Sequence, residues 1–229
     1  MRLTAYGTGT VLACLGLAVA AAAACYGAGW WAEWPFLAWL GLIPAILFLW
    51  VLWFFRDPDR TVPDGAGLLV SPADGTVTHI DKVEEPDFIQ GPAWRCSIFL
   101  SVFDVHLNRA PAGGTVSYLR HKAGRFVDAR REDSAHLNEF QDLGLLADDP
   151  AFGERILVRQ TAGKIARRIV CPAKEGDRLA RGERYGMIRF GSRTTVFLTA
   201  SVNPAWRVKA GDKVKAGETI LATAEGGMQ

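Results

Sequence analysis

The hydrophobic residues of this chain are unevenly distributed, and their pattern divides it into two parts. Residues 1–55 contain only two charged side chains, Arg2 and Glu33, although the 229 residues carry 26 lysines and arginines and 24 aspartates and glutamates. A long stretch with almost no charge requires an apolar environment. We therefore expect a membrane anchor over residues 1–55 and a separate, mainly β domain over residues 56–229.

Two apolar runs lie within the expected anchor. The run from Pro35 to Phe55 has no charged residue and is long enough to cross a bilayer, which requires about 20 residues. The run from about Ala5 to Tyr26 is also apolar but is rich in alanine, so it is either a first span or a signal peptide. Because the second run follows so closely, a hairpin of two spans is favoured over a cleaved signal followed by one span.

The residues that flank the two runs predict how the anchor is oriented. Arg2 lies before the first run and Arg56 and Arg60 follow the second, whereas the loop between the runs carries only Glu33. The positive-inside rule then places both ends, and the domain that follows, on the cytoplasmic side of the cell membrane. The formal net charge of +2, without a recognisable binding motif, gives no reason to expect nucleic acid as a partner.

Short segments rich in valine, isoleucine, threonine and phenylalanine, bounded by glycine, proline and aspartate, indicate a β-rich domain after the anchor. The polar, mixed stretch Phe126–Leu146 is expected to be a loop with a helical turn. The predicted strands are Gly67–Val70, Gly75–Val83, Arg95–Val102, Gly114–Leu119, Arg155–Gln160, Ile165–Cys171 and Thr194–Ala200.

Two internal echoes predict how these strands are arranged. Pro72–Val77 is repeated in outline as Pro111–Val116, and Lys174–Glu183 is repeated as Lys209–Glu218. Such twofold repeats predict two pseudo-symmetric halves packed as a barrel-sandwich-like β domain. The second echo resembles the fold of biotinyl and lipoyl carriers, but the exposed lysine that a carrier needs has no convincing equivalent here.

Three segments contain residues suited to chemistry. Gly191-Ser192 lies between two apolar stretches, where a serine could attack the carbonyl of its own preceding glycine. Asp74 lies in the turn-forming segment Ser71–Gly75, and His106 follows an apolar strand. The basic run Arg120–Arg131 suits contact with anionic lipid headgroups. No pair of the four cysteines has the spacing of a redox motif or a metal site, so no metal is expected.

Four motifs in order carry a family resemblance. They are Phe55-Arg-Asp-Pro-Asp-Arg60, Ser71-Pro-Ala-Asp-Gly75, the Phe99–Pro111 segment with Asp104, His106 and Arg109, and Met187-Ile-Arg-Phe-Gly-Ser192. Together they resemble the short, prokaryotic form of phosphatidylserine decarboxylase, a pyruvoyl-dependent enzyme. The resemblance runs from about Phe54 to the C-terminus.

The resemblance implies that Ser192 attacks the carbonyl of Gly191 and that the chain cuts itself there. The products would be a β chain, 1–191, and an α chain, 192–229, which form a heterodimer. The former Ser192 would become a covalent pyruvoyl group, so the cofactor is pyruvate derived from the chain itself. The amine of phosphatidylserine would form a Schiff base with it, and loss of CO2 would give phosphatidylethanolamine.

Two residues receive further roles from the resemblance. His106 is the expected acid and base, because an imidazole titrates near neutrality. Asp74 would assist self-cleavage or orient His106, and these two roles could be exchanged. Longer members of the family have a second histidine where this chain has Arg109, so the base for self-cleavage is unassigned. The Asn-Glu-Arg-Asn stretch of short members is only half matched by Asn138-Glu139-Phe140-Gln141.

Two alternatives remain open from the sequence. The first is a related decarboxylase acting on an archaetidylserine-like lipid, and the second is a non-catalytic, membrane-anchored carrier or adaptor. A higher oligomer of the heterodimer is compatible with the sequence.

Overall fold

A computed structural model describes residues 2–128, 137–164, 168–189 and 191–224. The chain divides into two compact units, Met1–Pro58 and Asp59–Gln229.

The first unit is a pair of apolar helical segments whose ends are joined by a short ladder. Helix α1 spans Thr8–Trp31, and the second segment is divided into α2, Phe36–Leu40, and α3, Leu42–Phe54. The break agrees with Pro44, which lacks the N–H group that would bond to the carbonyl of Leu40. Strands β1 (Arg2–Leu3) and β2 (Arg56–Asp57) pair antiparallel, so both ends of the unit lie together, as in a hairpin.

Both helical segments, Ala5–Trp31 and Phe36–Phe54, are long and apolar enough to cross a membrane by length and composition. Trp30 and Trp31 lie at the far end of α1 and expose 83% and 86% of their surface. Indole rings are favoured at the membrane–water interface, so this position agrees with an end of a span.

Most of the regular secondary structure described in the second unit is β-strand, which confirms the predicted mainly β fold after two apolar helices. A short 3-10 turn, Pro150–Phe152, interrupts them. The strands are β3 Leu68–Val70, β4 Gly75–Glu85, β5 Gly91–Leu100, β6 Leu107–Arg109, β7 Gly114–Lys122, β8 Phe140–Ala147, β9 Arg155–Thr161, β10 Ile169–Val170, β11 Arg178–Leu179, β12 Arg184–Ile188, β13 Ser192–Thr199, β14 Pro204–Trp206, β15 Lys213–Val214 and β16 Ile220–Ala224.

The strand order is pseudo-symmetric. The main antiparallel sheet has the order β11-β7-β8-β9-β13-β5-β4-β15, and two three-stranded sheets have the orders β10-β12-β6 and β14-β16-β3. Reversing the order of the main sheet exchanges β11, β7, β8 and β9 with β15, β4, β5 and β13. The corresponding exchange converts β10-β12-β6 into β14-β16-β3.

The sequence echoes form equivalent contacts in the two halves of the main sheet. Gly75 pairs with Val214 at the start of β4, as Gly114 pairs with Leu179 at the start of β7. The β4–β5 ladder shifts register just after Val77, and the β7–β8 ladder shifts at the equivalent position, just after Val116. The repeated turns therefore begin equivalent strands in the two halves.

Strand β13 lies in the middle of the main sheet, hydrogen-bonded to β5 on one side and β9 on the other. Successive side chains of a strand point to opposite faces. Val196 and Leu198 belong to the hydrophobic core of the unit. By the same alternation Ser192 and Thr194 share that face, and both are completely buried.

One predicted loop is a strand in its second part. Phe126–Leu146 was expected to be a loop with a helical turn, but Phe140–Ala147 forms β8 within the main sheet; residues 129–136 lie outside the described residues. Asp142 made the strand hard to predict, because a charged residue is unusual in a buried strand. Its buried carboxylate accepts two hydrogen bonds, of 2.6 and 2.8 Å, from Arg159 directly opposite on β9. An ion pair replaces the apolar alternation that identifies a strand.

The predicted strand Ile165–Cys171 is observed only as Ile169–Val170, and residues 165–167 lie outside the described residues.

Candidate active site

The Gly191-Ser192 junction lies where a turn enters β13. Gly191 has φ +59°, in the left-handed region that suits glycine, and Ser192 is the first residue of the strand, opposite Leu100 on β5. A Cβ atom at Gly191 would have only Val102 nearby, at 4.0 Å. The backbone conformation, rather than close packing, is therefore what favours glycine at this position.

The hydroxyl group of Ser192 is buried, and its Oγ has no hydrogen-bond partner among the described residues. A buried hydroxyl without a partner typically costs about 1–3 kcal/mol, so such groups are uncommon in folded proteins. A hydroxyl that is kept at this cost, next to a glycine in a left-handed turn, is consistent with a chemical role rather than a structural one.

The side chain of His106 contacts the backbone of Gly191 at the junction. Its ring is fully buried, and the backbone N–H of Gly191 donates to His106 Nε2 at 3.2 Å. His106 Nδ1 lies 2.9 Å from the carbonyl oxygen of Asp104. Because a carbonyl only accepts and the amide only donates, the contacts select the neutral imidazole with its proton on Nδ1. The lone pair of Nε2 then faces the N–H of Gly191, the residue whose carbonyl group is joined to Ser192.

The loop that precedes His106 is braced by the side chain of Asp104. Its Oδ2 accepts hydrogen bonds from the backbone N–H of Ser101, at 2.8 Å, and from the Ser101 hydroxyl, at 2.7 Å. The turn closed by these bonds brings the chain from the end of β5 to His106. The Asp104 carbonyl is thereby held in place as the acceptor for Nδ1.

Asp74 lies in a different cluster from His106. Its Oδ2 accepts from Arg60 at 2.7 Å, and its Oδ1 accepts from the backbone N–H of Ala216 at 2.8 Å. Burial raises the pKa of Asp74, against the lowering effects of the Ala216 hydrogen bond and the Arg60 charge. The structure thus joins His106 with Gly191, and it joins Asp74 with Arg60.

Two arginines that the sequence analysis singled out, Arg60 and Arg109, are both buried in the second unit. Arg60 was interpreted as a cation at the membrane boundary, but only 7% of its side chain is exposed, and its guanidinium binds Asp74 and Glu218. Arg109, which replaces the histidine of longer family members, is buried and donates to the carbonyl of Gly182 at 2.8 Å. Arg60 is therefore part of the interior of its unit.

Asn138, from the half-matched stretch, fastens the segment before β8. Its side-chain nitrogen donates to the carbonyls of Val127 and Ala162, and its Oδ1 accepts from the N–H of Val127 at 2.9 Å. Asn138, which makes these bonds, is one of the two residues of this stretch that match the Asn-Glu-Arg-Asn pattern.

A buried polar network beside the junction was missed by sequence reasoning. Asn108, Gln160 and Thr194 come from three different strands and are all completely buried. One signal was available, because Asn108 is two residues after His106 on an extended segment, and such residues share a face.

The side chains of the described residues limit which metal or cofactor the site could hold. The described ranges contain no group of three or more histidine, cysteine, aspartate or glutamate side chains that could bind a metal ion. A pyruvoyl group derived from Ser192 would need no separate binding pocket, since it would be part of the chain. The partnerless Oγ and the adjacent turn at Gly191 fit that origin.

The fold and the site together define a β-domain enzyme preceded by membrane-length helices. A sequence model of the family described as phosphatidylserine decarboxylase matches residues 47–222, which is most of the chain. The chain belongs to this family. It is therefore an enzyme made as a proenzyme, as predicted, and the non-catalytic carrier alternative is set aside.

Several bacterial relatives carry the name phosphatidylserine decarboxylase proenzyme. The protein of Symbiobacterium thermophilum is 50% identical over 187 residues, which cover 81% of this chain and 85% of that protein. The protein of Gluconacetobacter diazotrophicus is 43% identical over 192 residues, covering 82% and 83% of the two chains. The protein of Cereibacter sphaeroides is 45% identical over 192 residues, covering 82% and 81%.

Proposed function

We propose that this enzyme decarboxylates phosphatidylserine to phosphatidylethanolamine with a pyruvoyl group that it makes from its own Ser192. The observation that carries the proposal is the junction itself, where a buried, partnerless Ser192 hydroxyl follows a glycine whose N–H is held by His106. The names of the relatives support the substrate.

The proposed self-cleavage uses only groups of the chain and water. Ser192 Oγ adds to the Gly191 carbonyl carbon, the peptide C–N bond breaks, and the hydroxyl proton passes to the freed nitrogen, which leaves an ester. Removal of the proton on Cα of Ser192 then breaks the Cβ–O bond and releases Gly191 as a C-terminal carboxylate. The remaining dehydroalanine takes up water and loses ammonia, which leaves an N-terminal pyruvoyl group.

His106 is proposed to move protons in these steps. Its Nε2 lies 3.2 Å from the Gly191 nitrogen and carries a lone pair in the neutral form. An imidazole suits transfer near neutral pH because its ordinary pKa is close to that pH. The buried contacts of His106 supply orientation, which is the main contribution that a fixed site makes to such a reaction.

Asp74 is proposed as an assisting carboxylate. Burial raises the pKa of Asp74 towards neutral pH, and a carboxylate with a raised pKa accepts a proton more readily. Because its oxygens bind Arg60 and Ala216, its assistance to His106 would be indirect.

A pyruvoyl group at position 192 would supply an electrophilic carbonyl for the substrate amine and a sink for the electron pair released when CO2 leaves. The chain's part is to hold this carbonyl at the start of β13. His106 is the proposed proton donor to the product.

The helical unit suits a lipid substrate, which rarely leaves the bilayer, and it leads to a proposed location at the cytoplasmic membrane. Strands β1 and β2 bring Arg2 and Arg56 to the same end of the helical unit, which fits the prediction that both ends face the cytoplasm. Protease added to inverted membrane vesicles should digest the β domain, whereas the same protease outside intact spheroplasts should not. Digestion in spheroplasts alone would reverse the proposed orientation.

Intact-mass analysis of the purified enzyme tests the proposed cleavage. The expected result is a small chain that begins at position 192, lacks a free amine and resists Edman degradation, in place of the 25.0 kDa precursor. Ser192→Ala should leave the chain whole and inactive. Ser117→Ala is the matched control, because Ser117 Oγ is also buried without a partner in the described part, and that variant should cleave normally. Cleavage of Ser192→Ala would show that another residue is the nucleophile.

A further inference from the structure

Three completely buried polar side chains form a hydrogen-bonded network that includes Thr194, two residues after Ser192. Asn108 Nδ2 donates to Thr194 Oγ1 at 2.9 Å, and Gln160 Nε2 donates to Asn108 Oδ1 at 2.8 Å. The three residues lie on β6, β9 and β13. Polar groups in a core destabilise the fold unless they are hydrogen-bonded, so a network on the core-facing side of β13 requires an explanation.

The contacts of Asn108 determine which way its amide points. Pro72 O, a carbonyl that can only accept, lies 3.4 Å from Asn108 Nδ2 and also accepts from the backbone N–H of Arg109 at 2.9 Å. The amide nitrogen must therefore face Pro72 and Thr194, which leaves Oδ1 for Gln160. The carboxamide thus links the turn before β4 to the start of β13.

Each segment that Asn108 links carries a residue of the proposed mechanism. Pro72 is two residues before Asp74, and Thr194 is two residues after Ser192. Asn108 itself is two residues after His106, and alternate residues of an extended segment share a face. Asn108 is thus placed to set where Ser192 stands relative to the segments of Asp74 and His106.

We infer that Asn108 is a positioning residue for self-cleavage, acting through Thr194 and Pro72 without touching the reacting atoms. The inference rests on the proposed cleavage between Gly191 and Ser192. A displacement of about 1 Å at a reacting group can slow a reaction by about 100-fold. Asn108→Ala should therefore slow precursor cleavage by about 10- to 100-fold.

The experiment follows cleavage of pulse-labelled precursor during cell-free synthesis with lipid vesicles, and it compares thermal unfolding of the same variants. Ser97→Ala is the matched control. Ser97 forms a buried 3.2 Å hydrogen bond with Thr195, which also lies in β13 but on the face opposite to Thr194. That variant should cleave within about twofold of the wild-type rate, since its bond does not reach the Asp74 turn.

A second pair of variants keeps the test decisive if Asn108→Ala fails to fold. Thr194→Val preserves side-chain shape but removes the acceptor for Asn108, so it should slow cleavage by a factor similar to that of Asn108→Ala. Thr194→Ser keeps the hydroxyl and should restore the rate. Equal rates for the two Thr194 variants would overturn the inference.

A pH profile separates positioning from a merely structural role. In Asn108→Asp, an ionised carboxylate would face the Pro72 carbonyl and could not donate to it, whereas the protonated form could. Relative to wild type, the cleavage rate of this variant should therefore rise as pH falls through the pKa of the introduced acid. A ratio that does not change with pH would contradict the inference.

The inference and the proposed function fail in different ways. A wild-type chain that is not cut between residues 191 and 192 removes the proposed function. A wild-type chain that is cut there, with folded Asn108→Ala cleaving at the wild-type rate, removes only the role of Asn108.

Discussion

Asp74 and Arg60 form a buried ion pair, with 2.7 Å between Asp74 Oδ2 and the Arg60 guanidinium and with 12% and 7% of their side chains exposed. The same guanidinium binds Glu218 at 3.1 Å. Glu218 lies in the segment that would become the small chain, whereas Arg60 and Asp74 lie before the junction. This cluster therefore connects the chain segments on both sides of the proposed cut.

The raised pKa of Asp74 predicts a specific pH dependence of stability. Its folded-state pKa lies above the ordinary value of 3.8, so Asp74 contributes stability below pH 3.8, and this contribution is lost as pH rises through the folded-state value. Thermal unfolding of Ser192→Ala with and without Asp74→Asn should show this. The advantage of the Asp74-containing protein should be largest at the lowest pH and decline as pH rises. An advantage that grows with pH would mean that Arg60 lowers the pKa of Asp74 more than burial raises it.

His106→Ala is expected to remove most of the decarboxylase activity, because the imidazole accepts from the Gly191 N–H and is the proposed proton donor to the product. General acid–base catalysis typically contributes about 100- to 10,000-fold, so a loss in this range is expected. The measurement is CO2 release by protein that has been cleaved. His121→Ala is the control, because His121 is exposed and pairs with Glu139 at the surface. Full activity of His106→Ala would exclude the proposed role.

The two chains made by cleavage should remain associated without a covalent link. Strand β13 would begin the small chain, yet it is hydrogen-bonded along its length to β5 and β9 of the large chain. Separating the chains would therefore open the main sheet at its centre. Size-exclusion chromatography in mild detergent should give one peak containing both chains, and denaturant should separate them. Separate peaks without denaturant would contradict this arrangement.

Two glycines that begin strands, Gly114 in β7 and Gly91 in β5, predict a stability difference that is independent of function. A Cβ atom at Gly114 would lie 2.5 Å from the carbonyl oxygen of Leu146, whereas one at Gly91 would have no atom within 4 Å. Gly114→Ala should lower the free energy of unfolding by about 1–3 kcal/mol, the usual cost of forcing extra atoms into a packed site. Gly91→Ala should change it by less than about 0.5 kcal/mol, as is typical of open surface sites. Chemical denaturation of both variants on the Ser192→Ala background provides the comparison.

Several features of the fold were predictable because they depend on local sequence. The apolar runs predicted the two helical segments, since a long stretch without charge has few possible environments. The paired echoes predicted the pseudo-symmetry, because glycine-containing turns begin equivalent strands. Strand β8 was not predictable in this way, because Asp142 reads as a loop residue until Arg159 is found opposite it.

The sequence by itself predicted the two apolar helical segments, the mainly β domain and the candidate residues Ser192, Gly191, His106 and Asp74. Only the tertiary structure decided their partners. It placed His106 against Gly191 and Asp74 against Arg60, and it buried Asn108 between the segments that carry them. The physical reason is that hydrophobic pattern and turn chemistry act between neighbours in sequence. A buried hydrogen bond or ion pair instead depends on which distant strands the sheet brings together.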